Sequence, residues 1–232
     1  MVYIDAKDLV KRYGGGEAQV EALRGMSFTI APGEFVAIMG PSGSGKSTLL
    51  SIMGALNTPS EGSYLVDGID IYGLSRDRRA DFRREYLGFI FQNFHLVPYL
   101  SVAENVMLPL TTKRISNRDK RDMAEEALAK VGLAGKGNRL PNQVSGGEQE
   151  RAAIARAVVN EPPIILADEP TGNLDEHNSS EVMNLLSRLG KDGATVIMVT
   201  HDIDCAAYAQ RMLKMSDGRL AETVKLPQRH AA

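Results

Sequence analysis

The chain has 232 residues, 43% of them hydrophobic and 24% charged, with a formal net charge of −2 and a mean hydropathy of −0.19. That length can bury one full core with room for an inserted subdomain, and the near-neutral balance offers no overall attraction to nucleic acid. The lone Cys205 excludes an internal disulfide framework and a cysteine-rich metal site, and no run reaches the ~18 consecutive apolar residues of a membrane span.

Near the start, Asp5, Lys7, Asp8, Lys11 and Arg12 interrupt any apolar run, so no signal peptide is read and a cytoplasmic location is expected. Tyr3–Val10 and Val20–Ile30 read as strands, the second alternating at Met26, Phe28 and Ile30, with Gly14-Gly15-Gly16 as a flexible link. Tyr13 lies where an aromatic ring can stack on a nucleobase. A lone tyrosine is more often a half-buried strand residue, and its place upstream of the loop that follows favours stacking.

Ala31-Pro32-Gly33-Glu34 turns the chain, and the apolar run Phe35–Met39 reads as a buried parallel strand. It delivers into Gly40-Pro41-Ser42-Gly43-Ser44-Gly45-Lys46-Ser47. Gly40, Gly43 and Gly45 let the backbone curl its N–H groups toward phosphate oxygens, Lys46 reaches the β- and γ-phosphates, and Ser47 offers its hydroxyl to Mg²⁺. A chance glycine-rich turn of this form has odds below about one per cent at average composition. The helix expected over Lys46–Met53 aims its N-terminus at the anion.

The arginines from Arg76 to Arg84 alternate with Asp77 and Asp81 and read as a solvated helix face. Leu87–Phe91 reads as a strand ending at Gln92, whose amide can ligate Mg²⁺ or position water. Residues Asn93–Val159 show little strand character, and Met123, Ala127, Leu128 and Val131 pattern a helix over Arg118–Val131, so this stretch reads as a helical insertion. Its leading edge, Phe94–Leu100, is either subdomain core or a groove for a partner's helix. Ser145-Gly146-Gly147 alone would mark a flexible loop. Ahead of a helix expected over Glu148–Val159, its hydroxyl and amides make a second anion cradle.

After Pro162-Pro163, Ile164–Ala167 reads as a buried strand ending in Asp168-Glu169. Neighbouring strand residues point to opposite faces, so the two carboxylates have different work: Asp168 as the acid associated with Mg²⁺, Glu169 to polarise an attacking water. Pro170–Asp175 is a turn, and Val182, Leu185, Leu186 and Leu189 form a helix's core face. Thr195–Val199 is a further buried strand. It ends at Thr200-His201-Asp202, and His201, at a third strand terminus, reads as functional. Leu226–Ala232 reads as a mobile tail.

Together these motifs resemble the nucleotide-binding subunit of ATP-binding-cassette (ABC) transporters, from about Tyr3 to Val224. The resemblance implies an α/β fold: a phosphate-loop NTPase core with a mostly parallel sheet, an N-terminal antiparallel β subdomain and an inserted α-helical subdomain. It implies a single ATPase domain over 1–232, with the RecA-like core and β subdomain in 1–92 and 160–225, the helical signature subdomain in 93–159 and the tail in 226–232. Tyr13 then matches the adenine-stacking aromatic, Gly40–Ser47 followed by Thr48 the Walker A loop, and Gln92 the Q-loop. Ser145, Gly146 and Gly147 match the signature, Ile164–Asp168 Walker B, and Glu169 the catalytic glutamate. Gly172–Asp175 matches the D-loop, placing Asp175 at the nucleotide, and His201 matches the switch histidine. The implied cofactors are ATP and Mg²⁺, the metal on Ser47, Gln92 and Asp168.

The implied partners are a second copy packed head to tail, so that each ATP lies between one chain's Lys46 and the other's Ser145, and a membrane permease on a separate chain. A periplasmic adaptor would be reached through the permease, and the chain would sit on the cytoplasmic face of the inner membrane, away from nucleic acid. More narrowly, Phe91–Pro98 and Leu166–Asp175 are similar to the bacterial lipoprotein-release and macrolide-export branch. Leu-Ser-Gly-Gly-Gln-Gln-Gln-Arg is common there, whereas this chain carries Val144, Glu148 and Glu150; carboxylates facing the helix start would weaken anion binding slightly. The competing class, a soluble ATPase of this type acting on DNA or ribosomes, calls for a long coiled coil, a basic surface or a second cassette, none of which the sequence carries. Export, lipoprotein release and mechanotransmission to the envelope all stay open.

Overall fold

The computed structural model describes residues 3–227. An antiparallel sheet of four strands, in the order β2-β1-β4-β5, is built from β1 (Ile4–Tyr13), β2 (Val20–Ile30), β4 (Glu61–Val66) and β5 (Ile69–Asp70). β3 (Phe35–Met39) leads instead into α1 (Lys46–Met53) and belongs to the second sheet. That sheet runs β10-β9-β3-β8-β7-β6, from β6 (Leu87–Phe91), β7 (Ile164–Asp168), β8 (Thr195–Val199), β9 (Arg211–Ser216) and β10 (Arg219–Lys225). All of its neighbouring pairs are parallel except the terminal β9–β10 hairpin.

The apolar runs of β3, β7 and β8 follow from burial on both faces. Val36, Ile38, Ile164, Leu166, Ile197 and Val199 pack into one core with α1 and the antiparallel sheet. Their alternates Phe35, Ala37, Ile165, Ala167, Val196 and Met198 pack into the other, as the two-residue period of a strand requires. That second core continues into the inserted helices α3 (Val102–Met107), α4 (Asn117–Lys130) and α5 (Gly146–Val158), through Val106, Leu128 and Ile154, and to α6 (Glu176–Lys191) through Val182 and Leu186. α2 (Arg76–Tyr86) buries Phe82, and the short α7 (Ile203–Ala206) buries Cys205.

Ser101, Ser116 and Ser145 each begin an inserted helix with a reciprocal capping box, closed by Glu104, Asp119 and Glu148. This explains why α5 starts at Gly146 rather than at the expected Glu148: Ser145 is the cap and Glu148 the third helical residue. β1 likewise runs past the expected Val10 to Tyr13, its register shifting near Asp8, which sits at φ +48°. Such a bulge bends a strand without ending it. The tail is shorter than expected, because the Leu226 amide donates to the Gln210 carbonyl at 2.9 Å and its side chain packs on the core. The rest of the expected tail, residues 228–232, lies outside the described residues.

Candidate active site

Strand register brings the sequence-derived residues to one edge. Phe91 pairs with Asp168, Asp168 with Val199, and Val199 with Ile38, so the chain leaves the sheet side by side at Gln92, Glu169, Thr200 and Gly40. Ligands of open parallel sheets gather beyond the strands' carboxyl ends.

The loop after β3 is closed tightly enough to need its glycines. A Cβ at Gly40 would stand 2.3 Å from the Met215 carbonyl oxygen, and one at Gly45, where φ is +98°, 2.4 Å from that of Ala22. Gly45 is also the first boundary of α1 and brings no side-chain cap, so the first-turn amides stay available to an anion. The Lys46 ammonium donates to the Gly40 and Pro41 carbonyls at 2.7 and 3.0 Å, which holds it over the loop. Ser42, Gly43 and Ser47 are exposed along the rim, Thr48 is half-buried, and the buried Ser44 hydroxyl has no protein partner. Amides, an ammonium and hydroxyls gathered on one loop suit a polyphosphate.

The two acids stand in different surroundings, for a reason the strand period only half supplies. Asp168 ends β7 half-buried; burial raises its pKa first, the neighbouring Glu169 charge adds to this, and Lys46 opposes both. Glu169 takes a left-handed φ of +49° while its amide donates to Val199 at 2.9 Å. This swings its carboxylate to His201, whose Nδ1 lies 2.7 Å from Glu169 Oε2. Gln92 packs on the turn beyond: its carbonyl accepts from Asn173 Nδ2 at 2.8 Å, and its Nε2 lies 3.0 Å from where a Gly172 Cβ would stand. Among the described residues no group of three or more His, Cys, Asp or Glu side chains forms a self-sufficient metal site. The hydroxyl, amide and single carboxylate of Ser47, Gln92 and Asp168 instead suit Mg²⁺, which takes its remaining ligands from phosphate and water.

Tyr13 stands on the antiparallel sheet with 42% of its surface exposed. Its hydroxyl accepts from Asn57 Nδ2 at 2.5 Å, and Lys11 Nζ lies 5.0 Å from its ring centre, so the ring is held as a platform. Asp175 caps α6, accepting from the Asn178 amide and Nδ2, both at 2.8 Å. Ser145, Gly146 and Gly147 stand apart from the Lys46 loop. They lie instead beside α6 and Lys136: a Cβ on Gly147 would meet Asn178 Oδ1 at 2.0 Å, and Glu148, bonded to the Ser145 amide, pairs with Lys136. The Ser145 oxygen accepts from the Glu148 amide at 3.3 Å, which leaves its hydroxyl proton to donate. Glu148 is therefore turned onto the Ser145 amide at the start of its own helix, and Glu150 is buried within that helix.

Asn178, Asn173, Lys11 and Asn57 were not legible as site residues. Each acts by holding a recognisable one, and only the folded chain brings them together. In the Phe94–Leu100 segment Leu96 packs on the core, as the first of its two readings has it, while His95 joins Leu56, Phe89, Phe91, Leu108 and Pro109 in lining a groove of about 580 Å³.

The family model "ABC transporter" matches residues 23–172. The ABC transporter ATP-binding protein MJ1508 of Methanocaldococcus jannaschii is 47% identical over 95% of this chain and 99% of its own length. The macrolide export ATP-binding/permease protein MacB of Rhodopseudomonas palustris is 49% identical over 91% of this chain, and the pyoverdine export ATP-binding/permease protein PvdT of Pseudomonas aeruginosa 49% over 94%. The chain spans about a third of the length of these two, 32% and 33%. The ATP-binding cassette MJ0796, solved as a dimer in a post-hydrolysis state with ADP and Pi, superposes with a TM-score of 0.89 at 44% identity, covering 97% of this chain and all of that one.

Proposed function

We propose a transport role that starts from family membership: the chain belongs to the ABC transporter family, is an ATPase built on the cassette fold, and drives a membrane permease. The observation that carries the reading is the division of the phosphate-binding groups. Lys46, Asp168, Glu169 and His201 meet at one sheet edge, while Ser145-Gly146-Gly147 opens α5, where Glu148 takes up the Ser145 amide and the Ser145 hydroxyl proton stays free to donate.

Lys46 and the loop amides hold the β- and γ-phosphates, and Tyr13 carries the adenine on its ring. Ser47, Gln92 and Asp168 hold Mg²⁺, which would neutralise charge on the transferring phosphoryl group. Glu169 accepts the proton of the attacking water, and His201, bonded to that carboxylate, fixes its aim and reaches the γ-phosphate. A second copy closes the site with its Ser145 hydroxyl and glycine amides, and Asp175, packed through Asn178 against Gly147, sits where the two copies meet. The dimeric cassettes that this chain resembles support that arrangement.

The groove lined by Leu56, Phe89, Phe91 and Leu108, with Arg83 and Arg84 among its lining, suits a permease helix bearing apolar and acidic side chains. Among the described residues no helix is long and apolar enough to cross a membrane. The export-named relatives favour export over lipoprotein release or mechanotransmission as the use of that coupling.

Two measurements test the proposal together. Wild type copurifies from detergent-solubilised membranes with an integral membrane protein, and Leu56→Asp loses that partner while MgATP hydrolysis by the isolated chain persists. Retention of the partner by Leu56→Asp would remove the groove from the interface. Salt-sensitive capture of nucleic acid in place of a membrane protein would turn the reading to the soluble class.

A further inference from the structure

Glu150 is fully buried in α5, and neither of its carboxylate oxygens has a hydrogen-bond partner. Its own helix surrounds the position with buried Gly147, Ala153 and Ile154. The one charge acting on it is Arg156, itself withdrawn from water enough that burial lowers its pKa. Three charges on the helices packed against α5 are engaged elsewhere. Glu104 of α3 accepts from the Ser101 amide, Arg121 of α4 binds Glu125 and Asn138, and Glu181 of α6 pairs with Arg151. His95 meets the edge of Phe91 with its ring.

Arg156 spends its own donors on the backbone. Its two terminal nitrogens bind the His95 and Phe94 carbonyls at 2.5 and 2.6 Å. Both residues sit in the left-handed region, at φ +49° and +42°, a conformation that persists only where surrounding contacts hold it. Asn93 alone separates them from Gln92, whose carbonyl is in turn held by Asn173. One chain of contacts therefore joins the helix that carries the Ser145 cradle to the glutamine of the metal side.

We propose that Glu150 is a proton-bearing positioning residue: as the neutral acid it leaves Arg156 on the Phe94 and His95 carbonyls, and on losing its proton it draws the guanidinium away and releases the Gln92 loop. The balance is a simple ionisation, the proton passing to solvent and the new carboxylate gaining Arg156 as its counter-ion. Burial pushes the Glu150 carboxyl up to about 8, so mild alkalinity reaches the exchange. The effect on hydrolysis rests on the proposed role of Gln92 at Mg²⁺; the clamp itself does not.

The test uses the full chain, wild type and Glu150→Gln, at pH 6.5 and pH 9. The amide variant mimics the neutral acid. Hydrogen exchange at residues 93–97, compared between the two proteins at the same pH, is expected to match at pH 6.5 and to run several-fold faster in wild type at pH 9. MgATP turnover is expected to follow the same pattern, with a wild-type alkaline limb near pH 8 that Glu150→Gln lacks. Infrared difference spectra of unaltered wild type should show a protonated carboxylic acid at pH 6.5 that disappears by pH 9. Equal exchange in the two proteins at pH 9, or no such band in wild type, overturns the proposal. If exchange diverges as expected while turnover does not, the clamp stands and the assignment of Gln92 to the metal falls.

Discussion

At the residue scale, the site works by pairing each recognisable side chain with a less conspicuous one that aims it. The carboxylate of Glu169 is aimed by a left-handed backbone and by His201, Tyr13 by Asn57 and Lys11, and Asp175 is fixed by Asn178. The chemistry-bearing member of each pair was legible because phosphate binding and water activation restrict the residue type and its place after a strand. The aiming member was not, since asparagine and lysine in a loop have many ordinary uses. Glu150 carries a further consequence for stability. Its carboxyl holds a proton up to about pH 8 in the folded chain but only to about 4.5 when exposed. Between those values the unfolded chain has released a proton that the folded chain keeps, so stability falls as pH rises through the window and levels off above it. Glu150→Gln carries no such loss. Thermal denaturation should therefore show the two proteins melting together near pH 4, with the glutamine variant gaining a widening lead up to pH 8. A lead that is constant with pH would mean the carboxylate ionises normally in the fold.

At the element scale, the chain is organised by what stands at the ends of its strands and helices. The apolar runs of β3, β7 and β8 were readable because burial on both faces removes polar alternation. The edge strands were harder: β10 exposes Arg219, Ala221, Glu222, Thr223 and Lys225, and β5 is two residues long, so neither carries a pattern strong enough to separate it from loop. The pattern puts the start of α5 two residues late, at Glu148, because Ser145 caps the helix and Glu148 closes its box from the third helical position. That box joins helix stability to the anion cradle. The Glu148 carboxylate accepts from the Ser145 amide at 2.9 Å and pairs with Lys136, and these partners hold its pKa below the ordinary value. Glu148→Ala should cost about 1 kcal/mol in denaturant unfolding, a typical loss for a helix cap. It should also lower MgATP turnover, because the Ser145 backbone loses its partner. Glu148→Gln keeps a side-chain acceptor for that amide and should recover most of the turnover while losing the Lys136 charge pair. Equal loss in both variants would shift the weight from the cap to the ion pair.

At the scale of the whole molecule, the proposed function gives one chain two incomplete halves: a loop with Lys46, and a Ser145 cradle apart from it. A twofold arrangement completes both halves at once, because the same pair of surfaces is used twice. This makes a quantitative expectation for mixed assemblies. Lys46→Ala alone spoils the loop half of every site, and Ser145→Arg alone spoils the cradle half of every site, so each variant should hydrolyse MgATP at near background. In a mixed dimer the two lesions fall in the same site, and the other site receives the intact loop of the Ser145→Arg chain and the intact cradle of the Lys46→Ala chain. Equal mixing makes half of the dimers mixed, each with one good site of two, so turnover should recover to about one quarter of wild type if the sites act independently. Recovery should vanish on dilution below the dimerisation range and should be strengthened by MgATP, which the proposed arrangement places in the interface. No recovery at concentrations where size-exclusion chromatography shows mixed dimers would require either strict coupling of the two sites or a site completed within a single chain. The Glu169→Gln variant separates these, because it is expected to retain MgATP and accumulate as a dimer only when the nucleotide is shared.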